Sequence, residues 1–485
     1  MTSVFSPFTK QTIVGGEYSI RELIEENHNV DKIWNEKSDK LRILFCGTYP
    51  IGTTNGYSKI TYYLSKYLGE YKDIELSIWG FQRCNQTLGG ASIRNDIPSS
   101  VKLLDPVQME KDAKIKGNGF GEKVIGEHLK KNAYDVIIVF NDGMITSAMT
   151  AGIINSMNKY RNKFKLVSYM DQVYQYQKPD YINLLNTHYD AIIAFTPYWR
   201  TVAYKIGIKN TMPIFVFQHG FDHRIYFPIP KTYARFYYDL PQDAFIICSS
   251  NRNQPRKAWD VAIIAWASFV KRHWLANKSK DKVDFKTNKH TCRPIRFMVG
   301  TTQEGFWNLL SVLEHECKLI DLDYDYAKET MWFIENPQQI PDRDMNIFMN
   351  ACDVNFAPVH AEGWGLTCSE TLGIGRAQVA SYVGGHKEFM HEGIAQLIKP
   401  VMRKYGEINS KMKGIGSVDE ICLPEDFTDA LWKYFTSPDL VEKHGSKGRK
   451  HILQNYMWKK VVHDFKTNVL NSDVILGKST DTINK

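Results

Sequence analysis

The chain has 485 residues, 43% of them apolar and 24% charged, and a formal net charge of +8. That length exceeds what one hydrophobic core supports, so two domains are expected, and the composition is that of a globular protein rather than a disordered or fibrous one. No run reaches the roughly 18 apolar residues that span a bilayer.

Met1–Lys10 lacks the charged-then-apolar order of a secretory leader. The eight cysteines are scattered without a C-x-x-C pair and read as reduced thiols. Both set the expectation of a cytoplasmic protein, at most peripheral to a membrane, with the sequons at Asn85 and Asn277 unused.

The first 40 residues form a polar lead with one predicted helix, Ser19 to Trp34. Strands are then predicted at Leu41 to Cys46, Ile74 to Trp79, Val136 to Phe140, Phe164 to Tyr169, Ala191 to Phe195 and Ile214 to Gln218, mostly separated by helical patterns, which implies a parallel sheet. The first strand runs into a glycine-bearing loop and a helix, Lys59 to Leu68. Strand–glycine–helix units occur in every doubly wound domain, and Gly56 is the candidate retained from this one. Asp171 follows shortly after the strand predicted at Phe164 to Tyr169. The last strand leads to His219-Gly220-Phe221-Asp222, where Gly220 permits a tight turn and Asp222 caps it. His219 reads as a packing or hydrogen-bonding residue rather than an acid–base catalyst.

A second strand series covers Phe245 to Ser249, Ile295 to Val299, Met331 to Ile334, Val354 to Ala357 and Gln378 to Tyr382. Its first strand opens into Ser249-Ser250-Asn251-Arg252-Asn253-Gln254-Pro255-Arg256-Lys257. Taken alone, Arg252 and Lys257 are ordinary solvated charges. Asn277 to Thr291, rich in Lys, Asp and Asn, reads as a mobile surface insertion. Asp321-Leu322-Asp323 is a D-x-D string, but it precedes a helix-like run without a glycine-rich turn and reads as a solvated acidic loop. No histidine–carboxylate grouping has metal spacing.

The richest segment is Ala357-Pro358-Val359-His360-Ala361-Glu362-Gly363-Trp364-Gly365-Leu366-Thr367-Cys368-Ser369-Glu370. A buried strand meets a helix predicted from Ser369 to Gly373, so the Glu362–Gly365 loop lies at a strand's carboxyl end, where open α/β sheets bind ligands. A helix amino end suits a phosphate, and a nearby carboxylate suits ribose hydroxyls. Glu370 also fits a capping box begun by Thr367, in which it merely reaches back to the cap N–H. Leu440 to Leu470 is predicted helical. Its lysines admit a weak contact with an anionic membrane, but the segment lacks the aromatic or leucine stripe that insertion requires.

Glu362 and Glu370, seven residues apart and followed by Gly373, Gly375, Ala380, Gly384-Gly385 and Glu388, resemble the E-x7-E signature of the retaining GT-B glycosyltransferases, in particular family 4. Arg252 and Lys257 have the spacing of that family's Arg and Lys after the first strand of the donor domain. The His219-to-Asp222 turn with Tyr226-Phe227-Pro228, Asn55-Gly56, and Tyr456-Met457-Trp458 are similar to further family elements. One departure stands out: Met170 occupies the position of a sugar-contacting histidine, which leaves Asp171 as the polar candidate.

The resemblance implies two Rossmann-like doubly wound parallel-sheet domains facing each other across a cleft. Residues 41–228, completed by a helix from 451–485, form the acceptor side, and residues 229–450 form the donor side. It also implies metal-independent hexosyl transfer with retention of configuration. The donor is a UDP- or GDP-linked sugar and the acceptor a glycan, a lipid-linked molecule or a small molecule, with no cofactor and no nucleic acid. Arg252 and Lys257 would stabilise the departing diphosphate. Glu362 with Gly363, Trp364, Gly365, Leu366 and Thr367 would hold the sugar, Glu370 the ribose, and Gly56, His219 and Gly220 would face the donor. A catalytically silent nucleotide-sugar sensor, or a nucleic-acid-directed protein of the same fold, are the alternatives.

Overall fold

The computed structural model describes residues 20–51, 55–83, 94, 96–278, 293–334, 340–406 and 416–477. Most of the predicted surface insertion falls at 279–292, outside the described residues.

The first sheet contains β1 (Leu41–Thr48), β2 (Ile74–Phe81), β3 (Lys102–Leu104), β4 (Val136–Asn141), β5 (Lys165–Met170), β6 (Ala191–Ala194) and β7 (Ile214–Val216). Their spatial order is β3-β2-β1-β4-β5-β6-β7, and every pair is parallel. β4 and most of β1 and β5 are apolar runs buried on both faces, the mark of a parallel sheet covered by helices on each side. The second sheet contains β8 (Phe245–Ser250), β9 (Ile295–Gly300), β10 (Met331–Phe333), β11 (Val354–Ala357), β12 (Ala377–Ser381) and β13 (Gln396–Ile398) in the order β10-β9-β8-β11-β12-β13, again all parallel. Strand order therefore reverses between β1 and β4 in one sheet and between β8 and β11 in the other, and such reversals open a crevice at the strands' carboxyl ends.

Four strands escape the periodicity reading. β3 and β13 have three residues each, and β14 (Met402–Gly406) pairs antiparallel with β15 (Ser417–Ile421) as a separate ribbon. β14 is exposed along nearly its whole length, so it carries no apolar alternation.

The predicted helix Leu440–Leu470 is broken in two. Helix Pro438–Asn455 belongs to the second domain, and helix Trp458–Phe465 with the turn that follows it enters the first core. The break lies where the backbone crosses between domains beside the outgoing strand: Phe221 N donates to Tyr456 O at 2.6 Å and Trp458 N to Phe221 O at 3.3 Å. Gly220 is required here, since a Cβ would lie 2.6 Å from the Trp458 ring. Trp458 stacks on Tyr63 at 4.5 Å and Phe465 meets Phe217 at 4.5 Å.

A buried ionic cluster ties the two domains together. Lys59, on helix Gly56–Leu68, lies 2.8 Å from Glu370 and 3.1 Å from Asp342, while Arg94 lies 3.2 Å from Asp342. The Tyr226 hydroxyl donates to Asp342 at 2.9 Å. Burial alone would raise the Asp342 pKa, but Lys59 and Arg94 outweigh it and hold the carboxyl at about 2.

Trp458→Ala removes an aromatic anchor that closes the first core, and is expected to cost about 3–5 kcal/mol, read as a lower denaturant midpoint.

Candidate functional site

The two crevices face one another and enclose a cavity of about 290 Å³. The first domain contributes Asn55, Gly56, Tyr57, Phe140, Asp171 and His219 to its wall. Asn55 caps helix Gly56–Leu68, its side chain accepting from Ser58 N at 2.9 Å. Gly56 lets this helix start pass close to the opposite domain, since a Cβ would sit 3.3 Å from Leu366. The Tyr57 hydroxyl donates to the Asp171 carboxylate. Burial raises the Asp171 pKa, against the pull of the Tyr57 hydrogen bond and of Arg256. His219 is buried, its Nε2 2.9 Å from the Tyr169 hydroxyl, and desolvation depresses it to about 3, so the ring is neutral at physiological pH. Neutrality fits the packing role expected of it.

The second domain supplies the charge. After β8 the chain makes a short 3₁₀ turn, Pro255–Lys257, ended by Ala258 at φ +48°. This turn brings Lys257 into an ion pair with Glu362, and Arg256 follows at 3.5 Å from the same oxygen. Burial by itself would raise the Glu362 carboxyl, but Lys257, then Arg256 and His386, reverse the sign and hold it at about 2. Arg252 lines the same cavity, is exposed, and makes no ion pair among the described residues. Two cations pair the glutamate while Arg252 stands open to an incoming anion.

The Glu362 loop is set by glycines in close contact. Gly365, at φ +100°, begins helix Leu366–Gly373, and a Cβ on it would lie 2.6 Å from His386. Gly384, at φ +46°, and Gly385 press on the Glu362 and Gly363 carbonyls, each leaving only 2.1 Å for a Cβ. His386 is fixed by its Nδ1, 2.9 Å from Ser381 O. Trp199 of the first domain donates from Nε1 to Gly363 O at 2.7 Å, which seats the loop across the domain boundary.

Arg252, Lys257, Glu362, Asp171, Gly56, His219, Gly363, Trp364, Gly365, Leu366 and Thr367 all line this cavity. Glu370 and Gly220 stand behind the wall. The helix begins at Leu366, earlier than the sequence suggests, because Gly365 adopts the left-handed conformation that lets it start there. Glu370 thus falls in the second turn, where its Oε1 meets Lys59 instead of reaching back to a cap N–H. Gly220 serves the close approach of Trp458. Arg256, His386 and Tyr57 are wall residues that the sequence did not single out. Arg256 adjoins Lys257 and His386 adjoins Gly384-Gly385, so their place in the chain was the available signal. Among the described residues no His, Cys, Asp or Glu cluster has the arrangement of a metal site, and no helix is long and apolar enough to cross a membrane.

Against solved structures, the whole two-sheet arrangement recurs. A sucrose-phosphate synthase from Thermosynechococcus elongatus superposes with TM-score 0.60 at 12% identity, over 88% of this chain and 98% of that one. The chain has the GT-B fold. Anabaena HepE, in complex with UDP-glucose, gives TM-score 0.59 at 14% identity over 88% and 99% of the two chains. A glycosyltransferase from Rickettsia africae gives 0.60 at 15% over 91% and 100%.

In sequence, a D-inositol 3-phosphate glycosyltransferase from Gordonia bronchialis is 26% identical over 240 residues, 49% of this chain and 43% of that protein. The enzyme of the same name from Saccharomonospora viridis is 25% identical over 50% of this chain and 46% of its own length. The chain thus spans less than half the length of these curated relatives. No protein-family model matches.

Lys257→Met leaves the mostly buried Glu362 with Arg256 alone at 3.5 Å, and removing one member of such a buried ionic group is expected to cost up to about 3–5 kcal/mol. The folded Glu362 pKa lies below its ordinary 4.5, so in the parent its contribution is full above that pH and fades as pH falls toward 2. Stability curves of parent and variant, measured by denaturant from pH 7 to 3, are expected to be farthest apart at pH 7 and to converge in acid.

Proposed function

We propose that this chain is a retaining glycosyltransferase of family 4 type, which moves a hexose from a UDP- or GDP-linked donor to an acceptor without a metal or other cofactor. The observation that carries the reading is the cavity itself: Arg252, Arg256, Lys257 and Glu362 from one domain face Asp171, Tyr57 and Gly56 from the other across a space between two strand-order reversals. The names of the sequence relatives point the same way.

In this reading the donor diphosphate lies against Arg252 and Lys257. Cleavage of the glycosidic bond leaves negative charge on the distal phosphate, and fixed cations there lower the barrier without reorganising. Arg252 offers an unengaged planar fork. Glu362, kept ionised by Lys257 and Arg256, accepts hydrogen bonds from the sugar hydroxyls, while the Gly363–Thr367 backbone closes on the hexose. Asp171, held by Tyr57, takes the sugar contact that the resembled family's pattern gives to a histidine. Glu370 holds Lys59, which fixes the Gly56 turn against the donor side. Enclosure between the domains excludes water, which competes with the acceptor. The acceptor is a glycan, a lipid-linked molecule or a small molecule.

Arg252→Ala is expected to lower transfer from the preferred donor about 100-fold or more, by the magnitude typical of a lost transition-state donor. The preferred donor is the nucleotide-sugar that most raises the melting temperature in a panel of UDP- and GDP-sugars. Proton NMR of fresh product reads its anomeric configuration, which is expected to match the donor. Donor binding without turnover in the parent chain would mean a sensor and sink the enzymatic reading.

A further inference from the structure

A second cavity, of about 570 Å³, lies at the opposite end of the second sheet, by Phe245, Asp353 and Arg376 at the amino ends of β8, β11 and β12. Four cations line it, Lys231, Arg293, Arg376 and Arg449, against two carboxylates, Asp353 and Glu442. Asp353 is already engaged: it pairs with Lys231, lies 2.9 Å from Arg235, and accepts from Ile246 N at 2.9 Å. Glu442 is exposed. The three arginines lean instead on neutral groups. Arg293 Nη2 donates to Phe435 O at 2.9 Å, Arg376 Nη2 to the Asn350 side chain at 2.9 Å, and Arg449 Nη1 to Gly373 O.

None of the three guanidinium groups forms an ion pair among the described residues, and Asp353 acts on Arg293 and Arg376 only from a distance. Neither Arg293 Nε nor Arg376 Nε has a partner among the described residues. Burial pulls all three arginine pKa values down, which means that the charged state is costly as it stands. The amino end of helix Pro438–Asn455, an 18-residue helix whose Ser437 makes no side-chain capping bond, completes the wall. Pro438 has no N–H and the Leu440 and Val441 N–H groups both turn back to Ser437 O, so the helix end contributes its partial positive charge rather than a row of open donors.

We propose that this cavity binds a small molecule through its phosphate group, at a site separate from the cleft. Rigid arginine forks converging with a helix amino end match a phosphate's oxygens better than a single carboxylate, and the volume lies in the range of small-molecule sites. The phosphate is carried by a free metabolite or by a lipid headgroup. Helix Leu366–Gly373 runs between the two sites, beginning at Gly365 on the cleft wall and ending at Gly373, whose carbonyl Arg449 holds.

The test is calorimetric titration of inorganic phosphate into the full chain. Binding is expected in the parent and in Arg252→Ala, which alters the cleft alone, and is expected to weaken at least tenfold in Arg376→Gln/Arg449→Gln. With like charges relieved, that double variant should melt in phosphate-free buffer no lower than the parent. If it does not fold, Arg449→Lys, which keeps the charge but loses the fork, is expected to bind more weakly while folding normally. No binding by the parent, equal binding by the cavity variants, or loss in Arg252→Ala alone overturns the proposal. Flotation with phosphatidylglycerol vesicles identifies the carrier: flotation that the cavity variants lose marks a lipid headgroup, and its absence beside phosphate binding marks a free metabolite.

Discussion

Four buried charges between the domains hold this architecture in register. Lys59 and Arg94 belong to the first domain and Asp342 and Glu370 to the second, so neither set is neutralised unless the two sheets sit in their observed relation. Burying such groups is expensive, and removing one partner is worse than never having the pair. The cluster is thus weak evidence for overall stability and strong evidence for a particular mutual placement of the domains. That placement puts the Gly56 turn opposite the Leu366 helix start, and the distances across the cleft follow from it.

The cleft repeats the same logic with one difference. Lys257 and Arg256 neutralise Glu362 within a single domain, so the glutamate stays charged whatever the first domain does. Arg252 is left exposed. The first domain answers with apolar groups, the neutral His219 and the hydrogen-bonded Tyr57–Asp171 pair. The positive charge therefore resides on one side of the cavity.

Much of this was legible in the residues. Apolar runs such as Val136–Phe140 and Phe245–Cys248 marked buried parallel strands because both faces of each lie under helices. The Glu362 loop was legible from its place between a buried strand and a helix and from the E-x7-E spacing, and the structure adds that the glycines at 365, 384 and 385 are closely packed. Three kinds of feature were not. Strands of three residues, β3 and β13, are too short to show a period. The break after Asn455 is imposed by pairing with Phe221, more than two hundred residues away in sequence. The partner of Glu370 is Lys59, 311 positions distant, and no local motif announces a contact of that range. A capping-box pattern is a local signal, and here a tertiary ion pair overrode it.

The position of Trp458 also bears on synthesis. The amino-terminal sheet leaves the ribosome long before the aromatic that stacks on Tyr63 and covers Gly220 has been translated. Its apolar face around Phe217 must wait, incompletely covered, while the whole of the other domain is made. Nascent chains with such exposed surface are prone to aggregate and to engage chaperones. Full compaction of the first sheet therefore follows the synthesis of residues 458–470, after the second domain has been made.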